Sequence, residues 1–347
     1  MTPTRPRSRP STRSKRETAT LDWLLEPDQP AVRYRTLTEL LHRRKNDPEV
    51  REARKEITDH GWVAEILARR DPAGWWVREK SLYRPKYIST NWNLLALSDL
   101  GVTRAIPAVR ASCELWMDRS PLAGGGVGGF SGRNGHHCYT GNMARALIRF
   151  GYEDDLRVRK ALEWLVRTAH PKGGWTCWSF GNGPSPGRNL DSWEGLSAFA
   201  AYPRSKWTPA MKECVERAAE FFLDRELHRQ GERYPPWYRF HWPVHYYYDV
   251  LVGLDLLTTL GYVDDPRLGF ALELVRKKRR LDGRWNLDAV HPDVEGAVAR
   301  WYAAHPKDRP IPFALEKAGR PSKMITLTVL KALAAVGDTD PSQEVGR

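Results

Sequence analysis

The chain has 347 residues, 41% of them hydrophobic, and a formal net charge of +13. That length and apolar content supply a sizeable core and exclude global disorder. No apolar run approaches the ~18 residues that span a bilayer, so no integral membrane protein is expected.

In chain order, residues 1–17 come first. Arg5, Arg7, Arg9, Arg13, Lys15 and Arg16 stand there among Pro, Ser and Thr with no acid in the first sixteen residues, the pattern of a solvated, disordered basic tail. The prolines argue against an amphipathic transit helix, and the stretch lacks the apolar segment of a secretory signal. With no export signal, Cys113, Cys138, Cys177 and Cys214 are expected as thiols in a cytoplasmic protein. No specific nucleic-acid partner is expected. Residues 18–337 read as one domain, and 338–347 as a flexible C-terminal tail.

Within the domain a repeat organises the chain. Gly151-Tyr152, Asp154-Asp155, Ala161-Leu162-Glu163 and the Gly173–Trp175 turn return as Gly261-Tyr262, Asp264-Asp265, Ala271-Leu272-Glu273 and Gly283–Trp285, each 110 positions later. A second frame joins Thr90, Leu97 and Gly101 to Thr140, Leu147 and Gly151, and to Thr326, Leu333 and Gly337. Ser192, Phe199 and Pro203 fit it, as do Val250, Leu257 and Gly261. Each set reads as an apolar helix capped by Ser or Thr and stopped by Gly or Pro. A half-polar helix follows each stop, over 105–118, 155–168, 208–226 and 265–279. Helices apolar on all sides need a surrounding layer. The expected fold is therefore all-α, an α/α toroid of about six hairpins, with 30–70 as a diverged unit and inner helices starting near Thr90, Thr140, Ser192, Tyr247 and Thr326.

The Gly173-Gly174-Trp175 and Asp282-Gly283-Arg284-Trp285 endings resemble repeats of the squalene–hopene cyclase and protein prenyltransferase β-subunit superfamily, whose fold is this toroid. Cys138-Tyr139-Thr140-Gly141-Asn142 is similar to a motif of short prokaryotic prenyltransferase-like proteins. The resemblance spans roughly residues 20 to 337. It implies an isoprenoid-handling enzyme and a hydrophobic, isoprenoid-like small molecule as partner. The Asp-x-Asp-Asp motif that protonates class II cyclase substrates is missing, and Asn189-Leu190-Asp191-Ser192 keeps one carboxylate of the three. A proton-initiated polyene cyclase is disfavoured on that ground.

In such a toroid the connections from outer to inner helices share one rim, where Cys138, Cys177, Asp191, His241 and His245 fall. Thiolate, imidazole and carboxylate are zinc ligands. The protein prenyltransferases hold zinc with one Asp, one Cys and one His, so the resemblance implies a Zn2+ site of Cys138, Cys177 and His245, with Asp191 beside it. The alternative is that these residues pack or hydrogen-bond locally. Cys113 and Cys214 lie inside outer helices and read as small hydrophobes. Asp191, His245 and Tyr247 are the catalytic candidates. Trp178, Trp237, Trp242, Tyr248 and Arg188 are the candidates for substrate contact, the aromatic run from Tyr234 to Tyr248 forming either a binding funnel or a plug. Two other functions remain open: a carbohydrate-active enzyme using Asp191 with Glu194 or Asp249, and a non-catalytic lipid- or peptide-binding scaffold.

Overall fold

A computed structural model describes residues 12–120, 124–128, 135–176, 189–231, 234–245, 247–290, 294–306 and 315–338. Among these, β-structure is limited to isolated bridges. The α-helices are α1 (Thr12–Leu24), α2 (Pro30–Arg35), α3 (Pro48–Glu56), α4 (Gly61–Leu67), α5 (Thr90–Asp99), α6 (Pro107–Arg119), α7 (His137–Phe150), α8 (Leu156–Thr168), α9 (Asn189–Ala201), α10 (Pro209–Leu223), α11 (Val250–Thr259), α12 (Gly269–Lys277), α13 (Val294–Ala304) and α14 (Lys323–Ala335). A π-helical turn, Thr36–Leu40, extends α2. Among the described residues, no helix is long and apolar enough to cross a membrane.

Burial separates two classes of helix. All ten residues of α5 are buried, as are all of α7 except Cys138 and Arg149. By contrast α8 buries only Val158, Ala161, Leu162 and Leu165, a single stripe at helical spacing. Fully burying each Val or Leu there contributes about 1.5–3 kcal/mol. The buried class packs in succession, α5 on α7, α7 on α9, α9 on α11 and α11 on α14. Helix α14 packs on α2, α2 on α4, and α4 on α5. The amphipathic α6, α8, α10 and α12 cover α5, α7, α9 and α11 respectively. Two features were not expected: α13, and the break of 265–279 into a 3₁₀ turn, Pro266–Leu268, before α12. Of the expected tails, 1–11 and 339–347 lie outside the described residues, α1 takes in Thr12–Glu17, and Asp338 forms an ion pair with Arg276 at 2.7 Å.

The recurring Ser and Thr are not helix caps. Thr140, Ser192 and Thr326 sit in the fourth position of their helices, Thr90 in the first. Their hydroxyls instead accept from backbone N–H groups of the preceding turn: Trp76 to Thr90 (3.0 Å), Val127 to Thr140 (2.8 Å), Trp175 to Ser192 (3.0 Å) and Trp285 to Thr326 (3.0 Å). The indole N–H groups of Trp76, Trp175 and Trp285 donate to the carbonyls of Ile66, Leu165 and Val275, each ten residues earlier. One tryptophan thus ties the end of one helix to the start of another, with its ring fully buried. In the Gly-Gly-Trp turn, a Cβ on Gly173 would meet the Arg217 carbonyl oxygen at 2.2 Å, and its φ is +90°. Only glycine fits there.

The offset of 110 also has a surface counterpart. Asp155 and Asp265 each cap the following turn and hold Arg157 and Arg267. Arg157 reaches Glu114 and Asp118 on α6, and Arg267 reaches Glu220 and Asp224, stitching neighbouring outer helices. These pairs are partly exposed, so each is worth about 0–1 kcal/mol.

The closest helix approach is α7 on α9, where a Cβ on Gly141 would lie 2.4 Å from the Glu194 carbonyl oxygen. Gly141→Ala therefore forces the helices apart and is expected to cost about 1–3 kcal/mol. Urea denaturation checks this; a midpoint equal to that of the parent would contradict the close packing.

Candidate functional site

The buried helices line a partly open cavity of about 230 Å³. Trp193, Trp242, Val244, Leu251, Leu256, Met324 and Ile325 form its apolar wall. Arg35, Asp99, Arg145, Arg149, Asp255 and Lys331 form its charged part. Asp99 ends α5 and Arg149 lies in the last turn of α7, so these charges collect away from the outer-to-inner connections.

The charges form two knots. Asp99 Oδ1 accepts from Arg149 at 2.6 Å and from Arg145 at 3.4 Å. Arg145 also reaches Asn142 at 3.2 Å and lies over the Trp193 ring at 5.1 Å. Burial pushes its pKa down to about 10, and Asp99 opposes the fall. In the second knot, Glu39 binds both Arg35 (2.7 Å) and Lys331 (2.6 Å). Asn142 donates a short hydrogen bond to Glu194, which is fully buried.

A third polar group adjoins the apolar wall. Asp249 caps α11 by accepting from Val252 N–H at 2.8 Å, and its other oxygen accepts from the backbone of His241 at 3.0 Å. That oxygen also lies 2.5 Å from His241 Nδ1, fixing the imidazole with Nε2 3.4 Å from the Val244 carbonyl oxygen. Both ring nitrogens thus face oxygen acceptors, the carboxylate fixing the ring and the 3.4 Å contact to the carbonyl being the weaker of the two. Tyr247 packs edge-on against this imidazole at 5.4 Å.

The residues expected from the sequence separate. Trp242 lines the cavity and packs on Trp62 at 5.1 Å. His245 is buried between Tyr87 and Trp92, at 5.5 and 5.4 Å. Trp237 and Tyr248 do not line this cavity; they pack with His228 and Phe222 in an aromatic cluster. Cys177, Trp178 and Arg188 lie outside the described residues, as does the Asp191 side chain. Cys138 is half-buried. Among the described residues no three His, Cys, Asp or Glu side chains gather to hold a metal ion, so Cys138 and His245 acquire no third ligand there. The charged lining escaped the sequence reading, although one signal was available: Asp99, Arg145 and Asp255 are charges inside helices that lack a solvent face.

His228 and His245 are held neutral, burial pushing each pKa from 6.5 down to about 3. The unfolded chain takes up protons below about pH 6.5 and the folded chain does not, so stability is lost as pH falls from there towards 3. Burial raises the Glu316 carboxyl to about 7, which acts in the opposite sense between about pH 7 and 4.5. His228→Phe isolates one contribution. Between pH 7 and 5 the parent should lose about 2 kcal/mol more than this variant. Equal losses in urea titrations at the two pH values would show that His228 is protonated in the fold.

No family model matches the chain, and no curated protein sequence matches it. Among solved structures, similarity extends to a protein from Actinoplanes, 18% identical over 93% of this chain and 98% of the other, with a TM-score of 0.43. It extends also to a type II terpene cyclase from Scytonema in complex with geranylgeranyl dihydroxybenzoate, 16% identical over 92% and 99% of the two chains, with a TM-score of 0.44.

Proposed function

We propose that the helix hairpins close into an α/α toroid whose cavity takes up an isoprenoid-class molecule for a prenyltransferase- or cyclase-type reaction. The observation that carries this reading is the cavity itself: Trp193, Trp242 and aliphatic side chains line it together with charged groups, of which Asp99 and Arg145 are buried. An elongated apolar chain with one polar end matches that combination. The aromatic faces would stabilise a cationic intermediate, and His241, its Nδ1 held by Asp249 and its Nε2 released from the long contact with the Val244 carbonyl, would take a proton from that cation as a double bond forms. The carbohydrate reading is less well served. Glu194 is bound by Asn142 and Asp249 is committed to His241 and the cap of α11, which leaves neither carboxylate beside an open polar groove.

Titration with geraniol and farnesol, followed by tryptophan fluorescence, tests the reading. Saturable binding is expected, weakened about tenfold, or some 1.4 kcal/mol, by Trp242→Leu, while the variant keeps a cooperative thermal transition. His241→Gln is expected to retain binding and lose turnover. Absence of saturable binding by both alcohols and by their diphosphates would overturn the proposal.

A further inference from the structure

We infer that the charged end of the cavity is a binding site for an uncharged, hydroxyl-type head group and not for a diphosphate. This deepens the isoprenoid reading above, rests on it, and turns it away from prenyl transfer, which needs a diphosphate leaving group. The lining carries four cations, which suggests an anion site until their partners are traced. Arg145 and Arg149 share Asp99. Arg35 and Lys331 share Glu39. Asp255, also in the lining, forms no ion pair among the described residues and reaches Arg35 and Arg145 only through space. A diphosphate would have to pull these cations from the buried Asp99 and the partly buried Glu39 and sit beside a further carboxylate. Exchanging one buried charge pairing for another offers little net gain.

The same wall offers unmet hydrogen-bonding capacity of the other kind. Asp99 Oδ2 and Arg145 Nε are buried and have no hydrogen-bond partner among the described residues. The side chains are 8% and 4% exposed, and they already touch each other. One is an acceptor and the other a donor. A single hydroxyl donates to the first while accepting from the second, whereas a phosphate oxygen satisfies only the arginine. His245, within electrostatic reach of both, has two buried ring nitrogens that also lack a partner among the described residues. It does not line the cavity, so these nitrogens are a second unmatched pair set behind the wall. Buried polar atoms left unmatched in this way mark a place that a ligand or ordered water completes.

The test compares geraniol, geranyl diphosphate and the hydrocarbon 2,6-dimethyloctane on the full chain, by calorimetry and tryptophan fluorescence. The alcohol is expected to bind at least about tenfold more tightly than the diphosphate. Arg145→Lys, which retains the charge but removes Nε, is expected to weaken the alcohol about tenfold and leave the hydrocarbon unchanged. Asp99→Asn gives a second reading should Arg145→Lys lack a cooperative melting transition. Tighter binding of the diphosphate overturns this inference and leaves the isoprenoid reading standing. Binding of none of the three overturns the isoprenoid reading itself. Equal losses for alcohol and hydrocarbon in both variants would show that the head group lies elsewhere.

Discussion

Trp285→Ala is expected to remove about 3–5 kcal/mol of unfolding free energy, among the largest effects available to one substitution in this chain. The ring is fully buried, so its deletion opens a cavity in the contact between α12 and α14. The indole N–H that donates to the Val275 carbonyl at 2.7 Å also goes, and that carbonyl is left without its partner. Trp285→Phe separates the two losses: it keeps most of the ring volume and should cost about 1–3 kcal/mol, the range for an unmatched buried polar group. Trp76→Ala and Trp175→Ala should match Trp285→Ala, because their indoles make the same bond over the same ten-residue interval. Chemical denaturation followed by circular dichroism checks the series. A loss under about 1 kcal/mol for Trp285→Ala would place the residue outside the cooperative core.

Asp99→Ala is expected to cost about 3–5 kcal/mol for a different reason. Arg145 is 4% exposed and loses the carboxylate that offsets its burial. Arg149, 38% exposed, can turn towards water and loses less. The double variant Asp99→Ala/Arg145→Met removes the stranded charge and should recover much of the loss. A double-mutant cycle reads this as a coupling of about 0.5–3 kcal/mol between the two positions. Additive losses would mean that Asp99 acts by packing alone.

What was legible in the sequence follows from which interactions are local. The 110-residue offset marks the Gly–Trp turns, and those turns recur because the indole reaches a carbonyl at a fixed ten-residue distance within its own hairpin. The caps at Asp155 and Asp265 were equally readable, since the carboxylate serves an N–H two residues on. Thr140 and Thr326 have the same composition signal as a cap but a tertiary role. Spacing alone does not distinguish a hydroxyl serving its own helix from one receiving a neighbouring turn. The site was harder still. Asp99 and Arg145 are 46 residues apart and Glu39 and Lys331 nearly 300, and neither pairing leaves a local pattern, although the Arg35–Glu39 half of the second knot stands at i,i+4. Attention to Cys and His near the helix starts drew the reading towards metal chemistry, whereas the described residues gather arginines and carboxylates inside the apolar helices.

The hydroxyl ties separate the frame of each connection from its length. The residues joined are 14, 13, 17 and 41 positions apart in the four cases, yet the bond at each is 2.8–3.0 Å. Closing the longest of these segments instead of the shortest costs only about 1 kcal/mol of chain entropy. The stretch between Trp285 and Thr326 carries α13 within the same tie, and its ends are pinned: Leu287 is fully buried and Ser322 caps α14. The same tie spans separations of 13 and of 41 positions, so the middle of such a connection has room to lengthen between its pinned ends.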